Sequence, residues 1–133
     1  MGQGIIALFP GRYDPVHLGH ILTVMRIYDD YDKIIVGITD DNYGFTKPAI
    51  TTIGERERIL KLAFKHLPKV QVMYIGKGLR IRERFDDLPE FDIVVTANRE
   101  VLKNMAIHKV RARFIERSQG IGFSGTELRQ LIK

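Results

Sequence analysis

Apolar positions along the chain follow two alternating rhythms. Short, mostly apolar runs predict strands at Gly4–Phe9, Lys33–Ile38, Lys69–Ile75 and Asp92–Thr96, and a fifth strand is expected at Arg111–Ile115. Between them, apolar residues recur at spacings of three and four, the period of a helix with one buried face. The first such segment is Val16–Asp30, with Leu18, Ile21, Leu22, Met25 and Tyr28 on one face. The second is Gly54–His66, with Ile59, Leu62 and Ala63 inward. A short helix is expected at Leu79–Leu88, another at Asn98–His108, and a last one from about Gly125. Asp40–Thr52 collects Gly, Pro, Asn and Asp and reads as a loop.

Strands that are apolar throughout, rather than on alternate positions, need cover on both faces. Alternating with helices, they predict an α/β fold: a doubly wound, five-stranded parallel sheet in a single domain over residues 1–133. Ligands of such sheets bind beyond the carboxyl ends of the strands, where strand order reverses. The loops of interest are therefore 10–17, 39–53, 76–80, 96–99 and 116–125.

Composition narrows the chemistry. With 44% hydrophobic and 28% charged residues, the chain is neither disordered, collagen-like nor a coiled coil. It has no cysteine, which excludes disulfides, thiolate metal sites and a cysteine nucleophile. Gly4–Phe9 is too short for a signal segment or a membrane span, so the expectation is a cytoplasmic protein without a membrane partner. The net charge of +5 favours anionic partners. Basic residues are interleaved with acidic ones, as in Arg80-Ile81-Arg82-Glu83-Arg84, which argues against nucleic acid and for a small anion.

The first strand runs into Pro10-Gly11-Arg12-Tyr13-Asp14-Pro15-Val16-His17-Leu18-Gly19-His20. His17 and His20 share one face of the first helical turn, where free backbone N–H groups and the helix dipole favour an anion. Gly19 leaves space for a phosphate, Gly11 permits a tight bend, and Arg12 offers a planar fork to phosphate oxygens. Histidines so spaced also suit zinc, but no third ligand stands in register, so no protein-held metal is expected.

This segment resembles the HxGH signature of the nucleotidyltransferase superfamily, the cytidylyltransferase-like proteins with Rossmann-like sheets. About a hundred residues later, Ser124-Gly125-Thr126-Glu127-Leu128-Arg129 is similar to the family's second signature. Gly11-Arg12, the second motif, Ile34–Ile38 and Phe91–Val94 resemble archaeal-type nicotinamide mononucleotide adenylyltransferases. Those enzymes usually have Gln at the place of Asp14 and are longer. Phe9-Pro10-Gly11, Asp14-Pro15 and Lys47-Pro48 look more like phosphopantetheine adenylyltransferase, in which Thr replaces the first histidine. Glycerol-phosphate-type cytidylyltransferases share Asp14, His17 and His20.

The resemblance implies transfer of an adenylyl group from ATP, or a cytidylyl group from CTP, to a phosphomonoester small molecule, with pyrophosphate released. Nicotinamide mononucleotide is the favoured acceptor. His17, His20 and Arg129 would be catalytic. Pro10, Gly11, Arg12, Asp14, Gly19, Asn98, Arg99, Ser124, Gly125 and Thr126 would hold the nucleotide, and Lys47 and Arg80 the acceptor. Mg2+ would be held mainly by the nucleotide phosphates. A homo-oligomer is expected on the same ground. The non-enzymatic alternative is a nucleotide-binding regulatory module. The resembling helices carry an arginine near Gly54-Glu55-Arg56-Glu57-Arg58, with the register between Arg56 and Arg58 open; the default reading of both is solvated helix cations forming i,i+4 pairs.

Overall fold

The computed structural model describes residues 4–40 and 49–116. The apolar runs form five parallel strands: β1 (Ile6–Gly11), β2 (Lys33–Thr39), β3 (Val70–Gly76), β4 (Ile93–Thr96) and β5 (Ala112–Phe114). They pair in the order β3-β2-β1-β4-β5. The order reverses at β1, which pairs with β2 from Ile6↔Lys33 to Gly11↔Ile38 and with β4 at Ala7↔Ile93 and Leu8↔Val94. β1 runs two residues beyond the expected Phe9. Pro10, which has no N–H to donate, fits in this central strand because its register with β4 has already ended. Asp32 and Asp92 accept from the N–H groups of Ile5 and Ile6 at 2.7 Å each and fasten the start of β1 to its two neighbours.

Each face of the sheet is covered. One carries α1 (Leu18–Ile27) and α2 (Ile53–Ala63), with Ala7, Phe9, Ile34, Val36, Ile38 and Val95 packed against Val24, Ile27, Leu60 and Phe64. The other carries α3 (Arg99–Ile107), with Leu8, Ile35 and Val94 packed against Val101, Met105 and Leu79. This is the expected five-stranded α/β arrangement.

Both helices on the first face are rotated from the periodic reading. In α1 the fully buried residues are Val24 and Ile27; of the expected face, Ile21 and Tyr28 pack against the core, while Leu18 and Met25 are exposed. In α2 the inward stripe is Ile53, Arg56, Leu60 and then Phe64, and Ile59 and Leu62 face outward. A buried cation lies within that stripe, so a periodicity count of apolar residues alone misses it.

The expected helix at Leu79–Leu88 is absent; this segment is turn and extended chain. Arg82, 4% exposed, supplies the reason. Its guanidinium donates to the carbonyls of Ile75, Lys77 and Arg84 and to the carboxylate of Asp87. The Asn104 amide donates to the carbonyls of Leu79 and Arg82 at 2.8 and 2.9 Å. Carbonyls held this way take side-chain donors in place of a helical ladder. Arg82→Ala is expected to destabilise the protein by about 3 kcal/mol, because the part-buried carbonyls of Ile75, Lys77 and Arg84 lose their donor together. Amide hydrogen exchange over 77–92 should accelerate before that of the sheet; uniform exchange across the chain would contradict this role for Arg82.

Candidate functional site

The loop between β1 and α1 crosses the carboxyl edge of the sheet beside the point where strand order reverses. There His17 is the N-cap of α1, in extended conformation (φ −138°, ψ 171°). Its Nδ1 accepts from the Gly19 N–H at 3.1 Å, and Nδ1 of His20 accepts from the His17 N–H at 3.2 Å. The result is a capping box with histidine in both roles usually filled by Ser/Thr and Glu/Gln. The rings stack with centroids 3.8 Å apart and planes 21° apart. A neutral imidazole that accepts at Nδ1 carries its proton at Nε2. The cap therefore assigns one tautomer to both rings and makes Nε2 the donor of each.

Behind these rings the chain turns sharply. Tyr13 is 2% exposed and adopts φ +54°, and the Asp14–Pro15 peptide is cis. The Tyr13 hydroxyl donates to the Phe9 carbonyl at 2.7 Å, and its ring lies 4.6 Å from that of His20. Burial keeps the Tyr13 phenol protonated by raising its pKa well above the usual tyrosine range.

Asp14 faces the other way and clasps the start of α2. Its carboxylate accepts from the N–H groups of Ile50 and Thr51 and from the Thr51 hydroxyl, at 2.6–3.1 Å. The same turn carries a second capping box, Thr52 with Glu55, that starts α2. Arg56, 3% exposed, donates from Nε to the Thr51 hydroxyl, from Nη2 to the Thr51 carbonyl and from Nη1 to the Arg12 carbonyl. The guanidiniums of Arg12 and Arg56 stand 3.6 and 3.7 Å from the Asp14 carboxylate. Burial pushes the Asp14 pKa up. Hydrogen bonds from Thr51 and Ile50, aided by the Arg56 charge, outweigh it and hold the carboxyl below the ordinary aspartate range.

On the β4 side, Asn98 caps α3, accepting from the N–H groups of Glu100 and Val101, while its own N–H donates to the Thr96 hydroxyl. The Arg99 guanidinium lies over the Phe114 ring at 4.4 Å, which draws it toward β5, on the side of β4 away from β1. Arg80 pairs with Glu100 at 3.1 Å and so joins the start of α3. The Ile115 N–H donates to the Thr96 carbonyl, and Arg26 of α1 reaches the Glu116 carbonyl. The chain at residue 116 is thereby brought back to the edge that carries the histidines.

The structure thus gathers Arg12, Asp14, His17 and His20 in the β1–α1 loop and the first turn of α1, and Arg80, Asn98 and Arg99 around the start of α3. Lys47, Ser124, Gly125, Thr126 and Arg129 lie outside the described residues. Two residues of the site escaped the sequence reading. Tyr13 was given no role by the sequence. Arg56 looked like a surface cation, although Asp14 and Thr51 were there to neutralise and bind it. As for magnesium, the Asp14 oxygens face donors and two guanidiniums, so this carboxylate does not fit as its ligand. Among the described residues, no group of three His, Asp or Glu side chains could hold a metal.

A sequence model of the cytidylyltransferase-like family matches residues 8–131. A phosphopantetheine adenylyltransferase of Dehalococcoides mccartyi is 38% identical over 68 residues, covering 51% of this chain and 41% of that protein. A nicotinamide-nucleotide adenylyltransferase of Sulfurisphaera tokodaii is 32% identical over 108 residues, covering 74% of this chain and 62% of that protein. Among solved structures, a bifunctional NMN adenylyltransferase/ADP ribose pyrophosphatase from Francisella tularensis superposes with a TM-score of 0.64 at 15% identity. That match covers 96% of this chain and 42% of the other. The likeness to the solved structure concerns the fold.

Proposed function

This chain belongs to the cytidylyltransferase-like family, and from that premise we propose that it transfers an adenylyl group from ATP to a phosphorylated small molecule, nicotinamide mononucleotide in first place. The observation that carries this reading is the reciprocal capping of His17 and His20, which puts the ring proton of each on Nε2. An acceptor phosphate is already an anion near neutral pH and needs no strong base. Its oxygen attacks the α-phosphorus in line, the bond to the bridging oxygen breaks, and pyrophosphate leaves. Negative charge gathers on the α-phosphate oxygens as this happens, and two fixed N–H donors stabilise it more in the transition state than in the bound nucleotide.

Arg12 adds a guanidinium to the loop, and the start of α1 adds the positive end of a helix dipole. Magnesium would enter with the triphosphate and neutralise part of its charge. Ser124, Gly125, Thr126 and Arg129 are proposed to complete the grip on the β- and γ-phosphates and on the leaving pyrophosphate. Lys47 and Arg80 are proposed for the acceptor, and Asn98 and Arg99 for the nucleoside.

Nicotinamide mononucleotide is favoured over phosphopantetheine on two grounds. His17 stands where the latter enzymes resemble this chain except for a Thr. The nicotinamide-nucleotide relative also aligns over more of the chain. The phosphopantetheine reading keeps its support in several relatives 36–38% identical over about half of the chain. The test is pyrophosphate release from ATP and from CTP with magnesium, against nicotinamide mononucleotide, phosphopantetheine and glycerol phosphate separately. Turnover is expected with ATP and the first acceptor. Turnover with another acceptor would replace the substrate assignment, and tight ATP binding without turnover on the whole panel would favour a regulatory module.

A further inference from the structure

Tyr13 has no role in the reaction proposed above, yet its geometry is costly. A bulky residue at φ +54° lies in the left-handed region that side chains with a Cβ rarely enter, and a conformation of that kind persists only where its surroundings enforce it. The surroundings here are specific. The hydroxyl is tied to the Phe9 carbonyl, the ring meets that of Phe9 edge-on at 6.0 Å, and Gly11 lies against its rim. A Cβ at Gly11 would come within 3.1–3.2 Å of the Tyr13 ring. The remaining side of the ring packs on His20, tilted by 60°, and His20 in turn stacks on His17. A single buried ring, tied through its hydroxyl, stands against His20 and reaches His17 only through the stack.

We infer that Tyr13 is a positioning residue: its strained, anchored ring sets the plane of His20 and, through the stack, that of His17, so that both rings keep the tautomer with the proton on Nε2. The inference rests on the transfer reading only for its kinetic consequence. Its structural consequence is a property of the free protein. Without a rigid wall, the His20 ring can rotate about its side-chain bonds, the bond from the His17 N–H to Nδ1 is lost, and Nδ1 is free to carry the proton. A donor displaced by about 1 Å costs on the order of 10²-fold in rate.

The decisive measurement is the long-range proton–nitrogen spectrum of the histidine side chains in the full chain, at a pH where both rings are neutral. The wild-type protein is expected to show both His17 and His20 protonated on Nε2; Nδ1 protonation of either ring overturns the inference before any variant is made. In Tyr13→Leu, the His20 signals should move toward a mixture of tautomers, and Tyr13→Phe, which keeps the ring, should restore the wild-type pattern. Should Tyr13→Leu fail to fold, Tyr13→Met fills similar volume without a flat ring and takes its place. In the kinetic arm, kcat falls about 10- to 100-fold in Tyr13→Leu with KM for ATP nearly unchanged, and Tyr13→Phe recovers most of it. Folded Leu or Met variants with wild-type tautomers would refute the role of the ring. If no acceptor supports turnover, the transfer reading fails while the tautomer spectra still decide this inference.

Discussion

His17→Asn and His20→Gln should each fold with close to wild-type stability and lose about 10²–10³-fold in turnover. The pair is chosen because it separates two duties of the imidazoles. Asn is among the best N-cap residues, and Gln is a natural partner at the third helical position, so both substitutions retain an acceptor for the capping N–H groups. Asn is too short to place its amide N–H where Nε2 stands, and a Gln amide, which can reach there, lacks the stacked ring that fixes the donor. Losing one preorganised donor to a developing oxyanion costs roughly 3–4 kcal/mol of transition-state stabilisation, which is the quoted loss in rate. His17→Ala should show the same loss of rate together with about 1 kcal/mol less stability, since the cap is lost as well. Initial rates of pyrophosphate release and thermal unfolding of the same preparations distinguish these outcomes. Near-wild-type turnover in His17→Asn would remove His17 from the chemistry. Altered ATP affinity with no turnover in any form would identify a sensor instead.

Asp14→Ala is expected to cost about 2–4 kcal/mol of stability, seen as a drop in Tm on the order of 10 °C. The carboxylate serves Ile50, Thr51 and two guanidiniums at once, so its removal leaves the part-buried Thr51 donors and the buried Arg56 charge without it. The pH dependence follows from linkage. The folded pKa lies below the ordinary carboxyl value of about 3.9, so the charged form is favoured by folding. Its contribution is fully present above the unfolded pKa and is lost as pH falls through the lower, folded one. The gap in stability between wild type and Asp14→Asn should therefore be widest above about pH 4 and close as the solution becomes more acid. A gap that is constant across that range would mean that the carboxylate charge plays no part. Because the clasp also holds the backbone of Arg12 through Arg56, the same variants should weaken ATP binding at temperatures where they remain folded.

How far the sequence could be read depended on whether each structural choice was local. The central strands were legible because runs such as Ile34–Ile38 and Ile93–Val95 are apolar without interruption, and only a sheet covered on both sides accommodates that. The histidine loop was legible because its spacing of three and its place after the first strand are one-dimensional facts. The face of α2 was not. There the buried stripe includes Arg56, which is tolerable only because Asp14, from 42 residues earlier in the chain, neutralises it. The segment from Leu79 to Leu88 misled for a related reason. Its helical spacing is real, but Arg82 and Asn104 claim its carbonyls, and Asn104 belongs to a helix that comes later.

By itself, then, the chain's pattern of apolar runs and its two histidines determined an α/β sheet with a phosphate-suited loop at its carboxyl edge. Periodicity and residue chemistry act over a few neighbouring positions, and those features are set at that range. Only the tertiary structure decided which nitrogen of each imidazole carries the proton, which face of each helix is buried, and which arginine is a structural tie. The burial of Arg56 depends on bonds between segments far apart in sequence, such as Asp14 with the turn at Thr51, whereas the tautomers and the Tyr13 wedge depend on how the short stretch from Phe9 to His20 is folded in space. A buried charge persists only where a distant partner meets it, and a strained tyrosine only where the folded path of its neighbours encloses it, so neither can be read from residue order alone.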